Sequence, residues 1–122
     1  MRYKEFKKYR QRLNEKILKE GSLNTKRFFS LDAGVYRDGK LPAKVKELLG
    51  LIASMVLRCN DCILYHLDRC IDLGYTNEEL YEAMDVALIV GGSIVIPHLR
   101  YAYEMIDEIR EEKAKEKTNE KQ

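Results

Sequence analysis

Two cysteines and a histidine stand together in one short stretch, Cys59-Asn60-Asp61-Cys62-Ile63-Leu64-Tyr65-His66. Cysteines three apart at the start of a helix can close a disulfide with little backbone movement. The free amides and the dipole of a helix N-terminus favour a thiolate there. His66 lies one turn beyond Cys62, at the spacing where helical side chains touch, and is placed to take the Cys62 proton as a general base. At about 100° per residue, Cys59, Cys62 and His66 share one side of the helix with Ile63, Leu67 and Leu73, while Asp61, Asp68 and Asp72 point the other way. The thiols and imidazole are therefore expected to face the interior or an interface, at the mouth of an apolar pocket.

Glu47 is the fourth member of the candidate site. It sits near the edge of an apolar stripe, beside Leu51 and Ser54, on the preceding helix. If the two helices pack as a hairpin, its carboxylate reaches His66 directly or through water, fixing the ring tautomer and raising the imidazole's basicity. Zinc is the competing reading, because Cys59, Cys62, His66 and Cys70 supply four possible ligands. On one straight helix Cys59 and Cys70 are about 16 Å apart at about 1.5 Å per residue. A tetrahedral site needs each ligand within about 2.0–2.3 Å of the metal. No metal or other cofactor is expected, and Cys70 reads as a buried structural thiol.

Helices must carry these residues, since no alternating strand of useful length appears. A first helix is expected over residues 2–20, with Phe6, Leu13 and Ile17 on one stripe and Gly21 as its stop. A second runs from about Asn24 to Tyr36. Leu41-Pro42 opens a third, whose stripe is Val45, Leu48, Leu49, Ile52 and Val56. After a break near Arg58–Asp61, the fourth ends at Leu73-Gly74. Thr76 and Glu79 form a capping box for a fifth, running to about Val90. Gly91-Gly92 punctuates the chain, and a last helix is expected from Ser93 to about Glu112.

The 122 residues suit a single all-α domain of about six helices: a helical extension over 1–40, a core over 41–112 and a flexible polar tail over 113–122. The apolar run Val86–Ile96 is too short to span a bilayer and reads as deep core or a subunit interface. With no signal-peptide pattern and three cysteines, a cytoplasmic protein is expected and no membrane partner. Residues 1–58 carry a net charge of +9 and residues 59–122 one of −7. The basic first helix resembles a nucleic-acid stripe, but no DNA-reading module accompanies it and the acidic half repels phosphate. Packing between subunits is the preferred reading of the split. His98, at the start of the last helix, reads as a surface or interface histidine, with a substrate-pocket role as the alternative.

The full pattern, Glu47, eleven residues, Cys59, two, Cys62, three, His66, resembles the thiol-active branch of the AhpD-like, or carboxymuconolactone decarboxylase-like, family. The likeness covers Leu41 to Tyr103, including the double-glycine segment Ala87–Gly92. It implies an all-helical fold assembled as a homo-oligomer, either a trimer or a hexamer built from dimers. It also implies a thiol–disulfide oxidoreductase with alkylhydroperoxidase (peroxiredoxin-type) activity. On that resemblance Cys62 attacks a hydroperoxide and Cys59 resolves the sulfenic acid. Glu47 and His66 relay protons, and an external dithiol reductant restores the pair. Asp61 stands where the best-known members carry a second histidine, and an acid there raises nearby thiol pKa values. The alternative is a lyase decarboxylating a small carboxylated lactone, with His66 or His98 moving protons. The family's decarboxylases lack the cysteine pair, which argues against it.

Overall fold

The computed structural model of the chain describes residues 1–120, and among them helices are joined by short links with no strand. They are α1 (Arg2–Glu20), α2 (Leu23–Val35), α3 (Ala43–Val56), α4 (Asn60–Asp72), α5 (Asn77–Gly91), a 3₁₀ turn (Ser93–Val95) and α6 (Ile96–Glu120). The ends follow local chemistry. Ser22 caps α2 by accepting the Thr25 amide, Pro42 precedes α3, and Thr76 and Glu79 form the capping box of α5.

The links after α3 and α4 are the same Schellman turn. After α4, Gly74 takes φ +99° while its amide and that of Tyr75 bond back to Ile71 and Cys70. After α3, Arg58 takes φ 60° while its amide and that of Cys59 bond back to Met55 and Ser54. The left-handed conformation suits glycine and costs a residue with a Cβ about 1 kcal/mol. This second turn folds α4 back along α3, setting Ser54 opposite Cys59 and Glu47 opposite His66.

The core lies between α3, α4, α5 and α6, with Leu51, Met55, Ile63, Leu67, Leu80, Met84, Met105, Ile106 and Ile109 fully buried. Burial of each such side chain stabilises the fold by about 1.5–3 kcal/mol. The inward face of α3 is Glu47, Leu51, Ser54 and Met55. The expected stripe is displaced: Leu48, Ile52 and Val56 lie at its edge, and Leu49 is exposed. The cause is Glu47, a polar residue in the most buried row because two partners on α4 receive its carboxylate.

The basic α1 packs on the acidic half of its own chain. Tyr3 is buried, its hydroxyl donating to Asp68 at 3.0 Å and its amide to Glu108, while Arg2 and Lys4 pair with Glu104 and Glu112. Part of the charge split is thus met inside one chain rather than between subunits. The last helix continues past Glu112 to Glu120, and Lys113 is held by Asp68 at 2.8 Å and by Asp72. The end of the expected tail, residues 121–122, lies outside the described residues.

The Val86–Ile96 run is not uniformly deep. Ala87 and Val95 are buried, while Val86, Ile89, Val90 and Ile94 are exposed. Helix α2 buries no residue, leaving Leu23, Phe28, Leu31 and Val35 in the open. Among the described residues no helix is long and apolar enough to cross a membrane.

Candidate active site

Cys59 is the N-cap residue of α4, and its sulfur accepts the amide hydrogen of Cys62 at 3.2 Å. The two cysteines form a disulfide with their Cα atoms 5.3 Å apart. Cys62 is exposed on the wall of an open groove of about 490 Å³ between α1 and α4, a position at the mouth of an apolar pocket. Asp61 lines the same groove rather than pointing away, because the first turn of α4 faces the neighbouring α1. The opposite wall is the α1 stripe Phe6, Leu13 and Ile17, with Tyr9 and Arg10. A sulfur reachable from solvent beside apolar side chains can meet an organic substrate.

His66 closes the inner side of the groove and is buried, as is Glu47. The Nδ1–H of the imidazole donates to Glu47 Oε2 at 2.8 Å, and Arg69 Nε lies 3.9 Å from the other carboxylate oxygen. A buried carboxylate is costly without partners, and here both oxygens have one. The carboxylate favours the tautomer with the hydrogen on Nδ1, which leaves the lone pair of Nε2 free to accept a hydrogen bond.

That nitrogen meets Tyr36, the C-cap residue of α2, whose hydroxyl is 3.5 Å away and whose ring packs on the imidazole at a centroid distance of 5.3 Å. Gly50 makes the contact possible. A Cβ at that position would stand 2.7 Å from His66 Cε1 and 2.8 Å from the Tyr36 hydroxyl. Tyr65 meets the imidazole edge-on at 5.1 Å, and the Arg10 guanidinium covers the Tyr65 ring at 4.2 Å. Burial, and then the charge of Glu47, raise the pKa of both tyrosines, so both hydroxyls stay protonated.

The remaining candidates separate. Cys70 is buried, and burial pushes its thiol up to about 12, which removes it from nucleophilic chemistry near neutrality. His98 meets the first residue of α4, with Nδ1 2.7 Å from Asn60 Oδ1. Among the described residues no group of three or more His, Cys, Asp or Glu side chains is arranged to hold a metal ion. The sequence reading missed Tyr36, Gly50, Arg69 and the Asn60–His98 contact. Only Gly50, a glycine inside an apolar helix, left a signal there.

Comparison with known proteins adds four findings. The profile of the carboxymuconolactone decarboxylase family matches residues 24–105. An uncharacterised protein of Cupriavidus necator is 36% identical over 56 residues, 46% of this chain and 50% of that protein. The chain thus aligns with about half the length of that curated relative. The crystal structure of a carboxymuconolactone decarboxylase family protein from Thermotoga maritima, for which a role in antioxidative response has been suggested, superposes with a TM-score of 0.86 at 58% identity, covering 91% of this chain and 94% of that one. A family protein from Legionella pneumophila superposes with a TM-score of 0.81 at 28% identity, covering 88% and 96%.

Proposed function

The chain belongs to the carboxymuconolactone decarboxylase family, and we propose that within it the chain is a thiol–disulfide oxidoreductase that reduces hydroperoxides. The observation that carries this reading is the buried Glu47–His66 pair, one helical turn from a cysteine that is exposed on a groove and bridged to its neighbour. The antioxidative role suggested for the Thermotoga protein supports the same reading.

In the reduced protein His66 Nε2 accepts the Cys62 proton. The thiolate attacks the terminal peroxide oxygen, forming an S–O bond as the O–O bond breaks. The departing alkoxide takes the proton from His66 and leaves as an alcohol. Cys59 then attacks the Cys62 sulfenic sulfur and expels water, closing the disulfide. Two thiols and one hydroperoxide thus give one disulfide, one alcohol and one water. Reduction runs back through the exposed sulfur: a thiolate of an external dithiol attacks Cys62, and Cys59 departs as a thiolate. The Cys62 amide and the start of α4 are placed to stabilise that leaving group.

We expect the protein to act as a homo-oligomer. The exposed rows on α2 and at the end of α5 support that expectation. The test of the reading is a mass-spectrometric thiol map of the reduced protein before and after one equivalent of an organic hydroperoxide. A bridge confined to Cys59 and Cys62, restored by a dithiol, is the expected result. Unchanged thiols, or modification spread over all three cysteines, would overturn it.

A further inference from the structure

Resting on that reading, we propose that Tyr36 is a positioning residue of the site: its hydroxyl occupies Nε2 of His66 while Cys59 and Cys62 are bridged, and yields that nitrogen to the Cys62 thiol when the pair is reduced. Nδ1 is committed to Glu47 at 2.8 Å, so the ring has one lone pair to offer, on Nε2. A buried acceptor needs a donor. In the disulfide form neither cysteine carries a proton, and the hydroxyl in reach is that of Tyr36.

The contact is built to hold loosely. At 3.5 Å it is longer than an ordinary hydrogen bond, so a closer donor displaces it. It exists only because Gly50 presents a bare Cα, since a Cβ there would stand within 3.0 Å of both the imidazole and the Tyr36 hydroxyl. Tyr36 hangs at the end of α2, which buries none of its own residues, so the hydroxyl can withdraw without disturbing the core. Burial and the nearby Glu47 charge keep the phenol protonated and available as a donor.

On reduction two donors, the Tyr36 O–H and the Cys62 S–H, compete for one nitrogen. A hydrogen bond to the neutral imidazole favours that form, so Tyr36 tempers the basicity with which His66 draws the Cys62 proton. The other charged or titratable groups around the ring are Glu47 from α3, Arg69 and Tyr65 from α4, Asp32 from α2, and Arg10 from α1, lying over Tyr65. None of them is altered by removing the Tyr36 hydroxyl.

The test compares wild type and Tyr36→Phe, each fully reduced with a dithiol or fully oxidised with diamide, by nitrogen NMR of His66. In the oxidised state the variant's Nε2 signal is expected to move toward that of an unbonded pyridine-type nitrogen. In the reduced state the two proteins should differ less. Peroxide-driven disulfide formation starts from the reduced protein, so its acid-side midpoint should move by less than about half a pH unit in the variant. A rise of about one unit, the size of one lost hydrogen bond, would show that Tyr36 holds the nitrogen in both states and overturn the proposal. An oxidised-state Nε2 signal identical in the two proteins would overturn the proposal, as would an equal displacement in both redox states. The NMR arm uses no hydroperoxide. If wild-type thiols ignore hydroperoxide, the peroxidase reading fails while the Tyr36 result stands.

Discussion

His66 Nδ1 and Glu47 Oε2 lie 2.8 Å apart on facing helices, and both side chains are buried. The carboxylate therefore orients the ring and balances the positive charge that it takes on when it accepts a proton. Glu47→Gln keeps the shape and removes the charge. A charge-assisted hydrogen bond contributes about 1.5–3 kcal/mol. Its loss should slow peroxide-driven disulfide formation by about ten- to a hundredfold, measured by stopped-flow thiol loss. An unchanged rate would remove Glu47 from the proton path.

Gly50→Ala places a methyl group against His66 and Tyr36 at less than 3.0 Å. Helix propensity favours the alanine by about 0.5–1 kcal/mol, while forcing a group into a packed site costs about 1–3 kcal/mol. The net expectation is a loss of about 1 kcal/mol, checked by urea denaturation, with a larger proportional loss of thiol reactivity because both rings must move.

Arg58→Gly should stabilise the fold. The residue sits at φ 60° in a turn whose twin after α4 uses Gly74. Relief of the left-handed strain, offset by the extra freedom of glycine in the unfolded chain, is expected to give about 0.5–1 kcal/mol and a Tm rise of about 2–5 °C. A lower Tm would show that the arginine side chain stabilises this turn through contacts of its own.

Alkaline pH should weaken the protein through Cys70. Burial raises this thiol from its ordinary 9.0 to about 12, so above pH 9 the unfolded chain gives up a proton that the folded chain keeps. The stability involved is intact below pH 9 and falls as pH rises toward 12. The buried Tyr3 hydroxyl, raised by burial and by Asp68, acts in the same direction at still higher pH. Urea midpoints measured across this range should decline, and less steeply in Cys70→Ala. In the reduced native protein at pH 8, iodoacetamide should label Cys62 and spare Cys70 until denaturant is added.

An aspartate at Ile89, 84% exposed near the end of α5, should lower the particle mass seen by light scattering while leaving the helical circular dichroism intact. An unchanged mass would count against assembly of copies through this row.

Several helix ends were legible because their causes are local: Gly21 and Gly74 as stops, Pro42 as a start, Thr76 with Glu79 as a cap. The spacing of Glu47, Cys59, Cys62 and His66 was legible for the same reason, since a helical hairpin turns spacing into proximity. The inward face of α3 was not. A periodicity argument ranks Leu49 above Glu47, and only the partners on α4 reverse that order. The exposure of Cys62 depends on where α1 lies, and Tyr36 approaches His66 from another helix. Both are relations between distant segments that no pattern within one helix reports.

Helix α2, which buries none of its residues, has a consequence for how the molecule breathes. A segment held by so little apolar contact opens far more often than the core on which it rests. In a copy whose α2 row is not covered by another, its amides should be among the first to exchange with deuterium, well before those of α4, and assembly over that row should slow them. Each such opening carries Tyr36 away and bares one edge of His66 while the cysteine helix stays folded. Protons would then enter and leave the buried imidazole through a small excursion at the periphery rather than through unfolding of the whole.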